Sequence, residues 1–484
     1  MEVQRLPGNP GRPPAAGQDG QDGRSRGPFA PPRRRVRLPA FRGRRPGWSP
    51  AFVFVVGIAV LIALGAVLLS LPAASAGGQW TAPQDALFTS ASAVSVTGLA
   101  VVDTATYWSP FGQGVILLLV QLGGLGFMTN STLLLLLMRR QATLRERVLL
   151  DQSLGGWGLG SALGLARRIL VFTLAVEATG TALLTLRFLR DHSPLDALWQ
   201  ALFLSVAGFN NAGFDLSGDF RGLTPYSTDP AVLLPMLLMV VLGGLSFTAV
   251  EDVVKRRDAS RLTLDTKLVL VTTAGVVAVG TLGLLLTERA NPLTLGQFPV
   301  WGRLLNALFL SAASRTSGYN AVPVGDISDA GLLLLMALMF IGGATGSTAG
   351  GIKVQTFSLL LFAILSTSAG AQEVQAFRRR VPTAYVLRAL SITLLSLAFV
   401  FLVALVLSLT EGAAFVDLAF ESVSAFSTAG LSTGITPELS PVGRFILSAT
   451  MFAGRLGPLT LALALAAREH RVAYRWAQEG VKIG

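Results

Sequence analysis

The sequence predicts an all-α polytopic membrane protein, with eight transmembrane helices and four re-entrant short helices arranged as four repeats around one central axis. Three observations carry this. Hydrophobic residues fill 51% of the 484 positions and charged residues 14%, and the mean hydropathy of +0.59 lies above the range of soluble domains. Long apolar runs alternate with short ones. Four of the short runs end in a small-residue turn around a glycine: SVTGL at Ser95–Leu99, NNAGF at Asn210–Phe214, RTSGY at Arg315–Tyr319 and STAGL at Ser427–Leu431. The glycines Gly98, Gly213, Gly318 and Gly430 are spaced by 115, 105 and 112 residues, which marks an internal repeat.

About 20 apolar residues cross a bilayer, whereas runs of about 10–14 are more often re-entrant. By that rule repeat 1 (49–150) has spans near 51–71 and 111–138 around a short helix at 83–94. Repeat 2 (151–260) has spans near 167–186 and 231–254 around 194–207. Repeat 3 (261–380) has a span at 267–287, a short helix at 303–314 and a long stretch from 331 to 371. Repeat 4 (381–470) has 388–409, 415–426 and 441–467. Residues 1–48 form a basic arm expected to be disordered, and 471–484 a tail.

Lysine and arginine set the orientation. Arg139, Arg140, Arg145 and Arg147, then Lys255, Arg256, Arg257 and Arg261, then Arg378–Arg380, then Arg468, Arg471 and Arg475 all fall on one side. Both termini are therefore expected in the cytoplasm, with the turn-bearing segments entering from outside. The first apolar run starts too deep and continues too long for a cleaved signal peptide. Residues 1–50 hold eleven arginines against Glu2, Asp19 and Asp22. Anionic lipid beside the membrane explains that arm, so no nucleic-acid partner is expected.

Cysteine is absent and only His192 and His470 are present, which excludes thiolate metal sites and sets aside a histidine-based zinc or proton-relay site. No nucleophile–base or metal constellation is present, so an enzyme is not expected.

Irregular backbone survives in a membrane only where protein buries it or it lines a watery path. Four glycine turns on one axis can offer a ring of carbonyl dipoles in place of a potassium ion's water. The candidate ligands are the backbones of Val96, Thr97 and Gly98; Asn211, Ala212 and Gly213; Thr316, Ser317 and Gly318; and Thr428, Ala429 and Gly430. Glycine permits the dihedrals that aim successive carbonyls inward, and the short helices' C-terminal ends favour cations at the centre. Asp103, Asp215, Asp219, Asp326 and Glu438 lie beyond the turns, where acids can concentrate cations.

A glycine-bearing step recurs some 24–31 residues after each turn glycine: QLGGLGF at Gln121–Phe127, VLGGLSF at Val241–Phe247, IGGATG at Ile341–Gly346 and FAGRLG at Phe452–Gly457. In repeat 3 it grows into GGATGSTAGG, Gly342–Gly351. So many glycines weaken a helix by roughly 1 kcal/mol each relative to alanine. Two half-helices joined by a flexible loop beneath the turns are expected, a natural gate. Its residues are Gly342, Gly343, Gly346, Ser347, Thr348, Ala349, Gly350, Gly351 and Lys353. Charge inside a membrane is costly and usually functional or paired. Arg455 is assigned to the gate, and Glu177 and Glu421 to bracing the short helices through backbone hydrogen bonds.

At these residues the chain resembles the Trk/Ktr/HKT superfamily of potassium transporters, and within it the KtrB type of bacterial membrane subunit. The matching stretches run from Thr89–Trp108 and Phe209–Leu216 through Asn306–Asn320 and Gly342–Phe357 to Phe420–Ser432 and Met451–Leu461. The resemblance implies four M1–P–M2, potassium-channel-like units around one pore in a bacterial cytoplasmic membrane. It further implies a homodimer and a cytosolic KtrA-like ring through which a nucleotide regulates the pore. It places the intramembrane gate at Gly342–Gly351 and gives Arg455 a part in closing the path. Transport of K+, with Na+ as a possible activator, follows from the same likeness. Gly98 stands where sodium-carrying HKT members have serine, which favours potassium. The alternative is a cation-coupled secondary symporter of another solute, but such carriers tend to show inverted repeats with broken midplane helices.

Overall fold

A computed structural model describes residues 50–140 and 161–467. The arm at 1–48, Arg145, Arg147, Arg468, Arg471, Arg475 and the tail lie outside the described residues, which contain fourteen α-helices. Along the chain these are α1 (Pro50–Ser70), α2 (Pro83–Ser95), α3 (Pro110–Arg140), α4 (Ser161–Phe188), α5 (Pro194–Asn210), α6 (Pro230–Gly244) and α7 (Phe247–Arg256). They continue with α8 (Leu264–Glu288), α9 (Val300–Ala313), α10 (Asp329–Phe340), α11 (Val354–Ser368), α12 (Thr383–Thr410), α13 (Phe415–Ser427) and α14 (Pro441–Ala467). Six begin on proline, whose missing N–H costs nothing in a first turn. A small antiparallel hairpin pairs β1 (Gln375–Ala376) with β2 (Arg379–Arg380).

Polarity runs inside-out. The short helices α2, α5, α9 and α13 bury Ser90, Ser92, Ser205, Ser311, Ser422 and Ser424, while the longer helices expose Leu186, Leu286 and Leu409. A polar interior within an apolar surface is what lipid solvent favours. The buried hydroxyls are used: Ser90 donates to Ile62 O (2.7 Å), Ser205 to Glu177 O (2.6 Å) and Ser311 to Val277 O (2.9 Å). Gly65, Gly180 and Gly280 on the facing helices leave room for them, because a Cβ there would collide with each serine oxygen or come within 2.5 Å of it. The fourth repeat differs, since Ser422 donates within its own helix to Leu418 O.

Among the described residues, Gly164–Phe188, Leu264–Glu288 and Thr383–Thr410 are each long and apolar enough to cross a membrane alone. The span expected at 231–254 is not continuous: α6 and α7 meet at a bend of 100°. The cause lies at Gly243 and Gly244, whose carbonyls accept the N–H groups of Thr348 (3.1 Å) and Ala344 (2.9 Å). Ser246 is then extended and starts α7 afresh. The stretch 331–371 does divide into two half-helices, α10 and α11, joined by the glycine-rich loop.

Candidate functional site

α2, α5 and α13 each end on a left-handed C-cap, whereas α9 ends on Ser314 in the right-handed region and turns two residues later. Two residues before each turn glycine the backbone is left-handed: φ is +57° at Val96, +61° at Asn211, +102° at Thr316 and +47° at Thr428. The glycines themselves sit at +94°, +70°, +73° and +86°. Left-handed backbone costs a side-chain-bearing residue roughly 1–2 kcal/mol, and surrounding hydrogen bonds hold it. Thr97 N donates to Ser92 O, Ala212 N to Ala207 O and Ala429 N to Ser424 O, each at 2.8 Å. The Ser92 and Ser424 hydroxyls accept from Gly98 N (3.0 Å) and Gly430 N (3.1 Å).

The four turns close on one another. A Cβ on Gly98 would strike the Ala212 carbonyl and lie 2.8 Å from the Gly213 Cα. One on Gly213 would lie 2.9 Å from Ser317 O, and one on Gly318 2.8 Å from Ala429 O. One on Gly430 would strike Thr97 O, returning to the first repeat. In cyclic order, then, the carbonyl of each middle residue faces the glycine of the preceding turn. Eight of the twelve predicted turn residues, the middle residue and the glycine of each turn, make these contacts, and Val96, Asn211, Thr316 and Thr428 directly precede them.

Outside the ring lies a cavity of about 450 Å³. Gly98, Gly213, Gly318 and Gly430 line it together with Asp103, Asp215, Asp219 and Asp326; Glu438 is not among its lining. Asp103 bridges two repeats, accepting from Thr106 N (2.8 Å) and Phe220 N (2.9 Å). Burial in the loop after α5 pushes the Asp215 carboxyl up to about 6, against the bond from Ser217 N (2.8 Å).

The glycine-rich loop packs against the ring but lines no part of that cavity. Gly342 N donates to Ile352 O (2.9 Å) and Val354 N to Gly343 O (3.1 Å), so the loop's two ends meet. Gly346 and Gly351 are left-handed, at +81° and +64°. Ser347 donates to Ala344 O (2.6 Å) and accepts from Ala349 N (3.3 Å). The loop touches the ring at Gly350, where a Cβ would strike the Thr428 hydroxyl and lie 2.7 Å from Ser427 O. Cations hold its carbonyls: Lys353 Nζ donates to Ala349 O (2.6 Å) and Gly350 O (3.2 Å), and Arg455 Nη1 to Thr348 O (2.5 Å). Arg455 Nη2 reaches across to Gly123 O (3.3 Å). The predicted gate residues thus form one cluster directly beneath the ring.

Glu421 accepts a backbone bond from Thr433, as expected, beside its side-chain partners, whereas Glu177 is held by side-chain amides alone. Glu177 accepts from the side-chain amides of Gln121 (3.2 Å) and Asn210 (3.1 Å), and Glu421 from the hydroxyls of Ser432 (2.5 Å) and Thr436 (2.9 Å). Sequence reasoning also passed over Arg315, whose Nη2 donates to Gly342 O (3.0 Å). Its position inside the third turn motif was the available signal.

The family model described as TrkH, cation transport protein, matches residues 59–472. The Ktr system potassium uptake protein B of Bacillus subtilis is 38% identical over 423 residues, covering 87% of this chain and 94% of that protein. The protein of the same name from Vibrio alginolyticus is 38% identical, covering 88% and 93%. The potassium/sodium uptake protein NtpJ of Enterococcus hirae is 35% identical, covering 90% and 97%. The crystal structure of the potassium transporter TrkH from Vibrio parahaemolyticus superposes with a TM-score of 0.66 at 18% identity, covering 87% of this chain and 86% of that one. At that identity the likeness establishes a shared fold.

Proposed function

The chain belongs to the TrkH family of cation transport proteins, and from that premise we propose that it is a potassium uptake subunit conducting K+ through a gated pore. The observation that carries this reading is the closed ring of Gly98, Gly213, Gly318 and Gly430, each facing a carbonyl of its neighbour. Four repeats, eight crossings and four re-entrant helices around that ring account for the inside-out polarity of the fold.

The filter consists of the carbonyls of Val96–Gly98, Asn211–Gly213, Thr316–Gly318 and Thr428–Gly430. Several dipoles replace a bare ion's hydration shell at once, and the acids of the outer cavity raise the local cation concentration. The loop Gly342–Gly351, with Lys353 and Arg455, forms the gate: it fills the path on the inner side, and its carbonyls are tied down by cations. A hinge between α6 and α7 supplies its anchoring carbonyls.

Relatives named for a Ktr system imply a multi-component assembly. Accordingly the working unit is a homodimer in a bacterial cytoplasmic membrane, both termini inside, beneath which a cytosolic nucleotide-binding ring of the KtrA type sets the gate; Na+ acts as an activator. A secondary symporter is not favoured, because parallel repeats meeting at a carbonyl ring are built for a pore. The test is potassium and sodium flux through the purified chain in liposomes, with and without the regulatory ring. Potassium-selective flux that responds to the ring is expected, whereas solute-coupled flux or flux of neither ion would sink the reading.

A further inference from the structure

The third repeat departs from the other three beneath its turn. In repeats 1, 2 and 4 a glycine of the second-span step abuts the carbonyl of the residue four places before the turn glycine. Gly123 meets Val94 O, Gly243 meets Phe209 O and Gly454 meets Phe426 O, each so closely that a Cβ would collide. The matching residue of repeat 3 is Ser314, yet Gly342 abuts Gly350 and Gly351 instead. Arg315, next to Ser314, reaches this same glycine with its side chain. Its Nη2 donates to the Gly342 carbonyl at 3.0 Å, its Nε has no partner, and the side chain is buried.

Both ends of this bond matter. Gly342 is where the glycine-rich loop closes on itself through Ile352. Arg315 immediately precedes Thr316, the most strained backbone of the ring at φ +102°. In the other repeats, backbone sits against backbone, and that contact opens only if a helix moves. One hydrogen bond from a long side chain parts at a small displacement of the loop. A buried guanidinium left with an unpaired N–H then gains by moving, because unsatisfied buried donors are costly.

We propose that Arg315 is a positioning residue that keeps the third turn in register only while the glycine-rich loop is seated, so that displacing the loop lowers the ring's preference for potassium over sodium. The inference rests on the pore reading above.

The test is the K+/Na+ flux ratio of the purified chain in liposomes for wild type, Arg315→Gln, Arg315→Lys and Arg455→Gln, each checked for thermal stability. Arg315→Gln is expected to lower the ratio by at least about fivefold while K+ still passes, a size typical of coupling between sites. Arg315→Lys, which retains a donor, should recover part of it. Arg455→Gln, which frees the loop's Thr348 carbonyl and the Gly123 carbonyl of α3, should lower the ratio as well, and adding Arg315→Gln to it should change the ratio little further, as expected for one shared device. An unchanged ratio in Arg315→Gln, or in Arg455→Gln should Arg315→Gln fail to fold, overturns the proposal. A wild-type chain without potassium-selective flux would instead remove the pore reading itself.

Discussion

Asn211 and Thr348 share a hydrogen bond of 2.9 Å across 137 positions of sequence. The first belongs to the second turn of the ring, the second to the glycine-rich loop. Thr348 also lies 2.9 Å from Gly243 O through its hydroxyl, and its carbonyl takes Arg455 at 2.5 Å. One residue therefore latches the loop to the ring, to α6 and to α14.

Releasing that latch should open the path. Thr348→Ala removes the hydroxyl bonds and Arg455→Gln the cation's. A buried hydrogen bond is worth about 1 kcal/mol net, so losing two should raise potassium flux without any regulatory ring by roughly thirtyfold. Rubidium uptake into liposomes measures it, and flux at the wild-type level in both variants would contradict the latch.

Gly98→Ser places a side chain at φ +94° against the Ala212 carbonyl. The collision must displace a ring oxygen, and left-handed strain adds about 1–2 kcal/mol. The K+/Na+ permeability ratio is expected to fall by about tenfold, the factor that corresponds to roughly 1.4 kcal/mol. A ratio equal to that of wild type would remove Gly98 from the filter.

Burial disfavours the charge of Asp215 and pushes its carboxyl up to about 6. A carboxyl raised in this way is ionised at pH 7.5 and protonated at pH 5. Potassium flux at low ionic strength should therefore decline as the outer pH falls through 6, several-fold in all, as the cavity loses a focusing charge. Asp215→Asn should be low at pH 7.5 and lack that step; a full step in the variant would assign it elsewhere.

Glycine substitutions separate contact from composition. Gly243→Ala drives a Cβ into Phe209 O, and overpacking typically costs about 1–3 kcal/mol, so the melting temperature in detergent should drop by several degrees. Gly275→Ala on α8 meets nothing within 4 Å and should be neutral or stabilising by about 0.5–1 kcal/mol. Equal melting temperatures for the two would contradict the contact.

Repetition made much of this visible in the sequence. A glycine at one place in four units betrays the turns and the step below them, and clustered glycines betray the break between α10 and α11. What each glycine touches stayed hidden, because Gly123 meets Val94, and Gly243 meets Phe209, only once the chain has folded. The bend at Leu245–Ser246 was not legible from its glycine step, because the like step at Gln121–Phe127 stays helical within α3. Its cause is the N–H groups of Ala344 and Thr348, about a hundred residues away. The amide partners of Glu177 were hidden likewise, since Gln121 and Asn210 come from two other helices.

The most direct measurement is the position of rubidium by anomalous scattering from crystals of the chain grown in a rubidium salt. A peak is expected on the axis enclosed by the Thr97, Ala212, Ser317 and Ala429 carbonyls, and it should vanish when sodium replaces rubidium. Rubidium bound anywhere else, with that axis empty in a chain that still conducts, would contradict the ring as the ion's binding site.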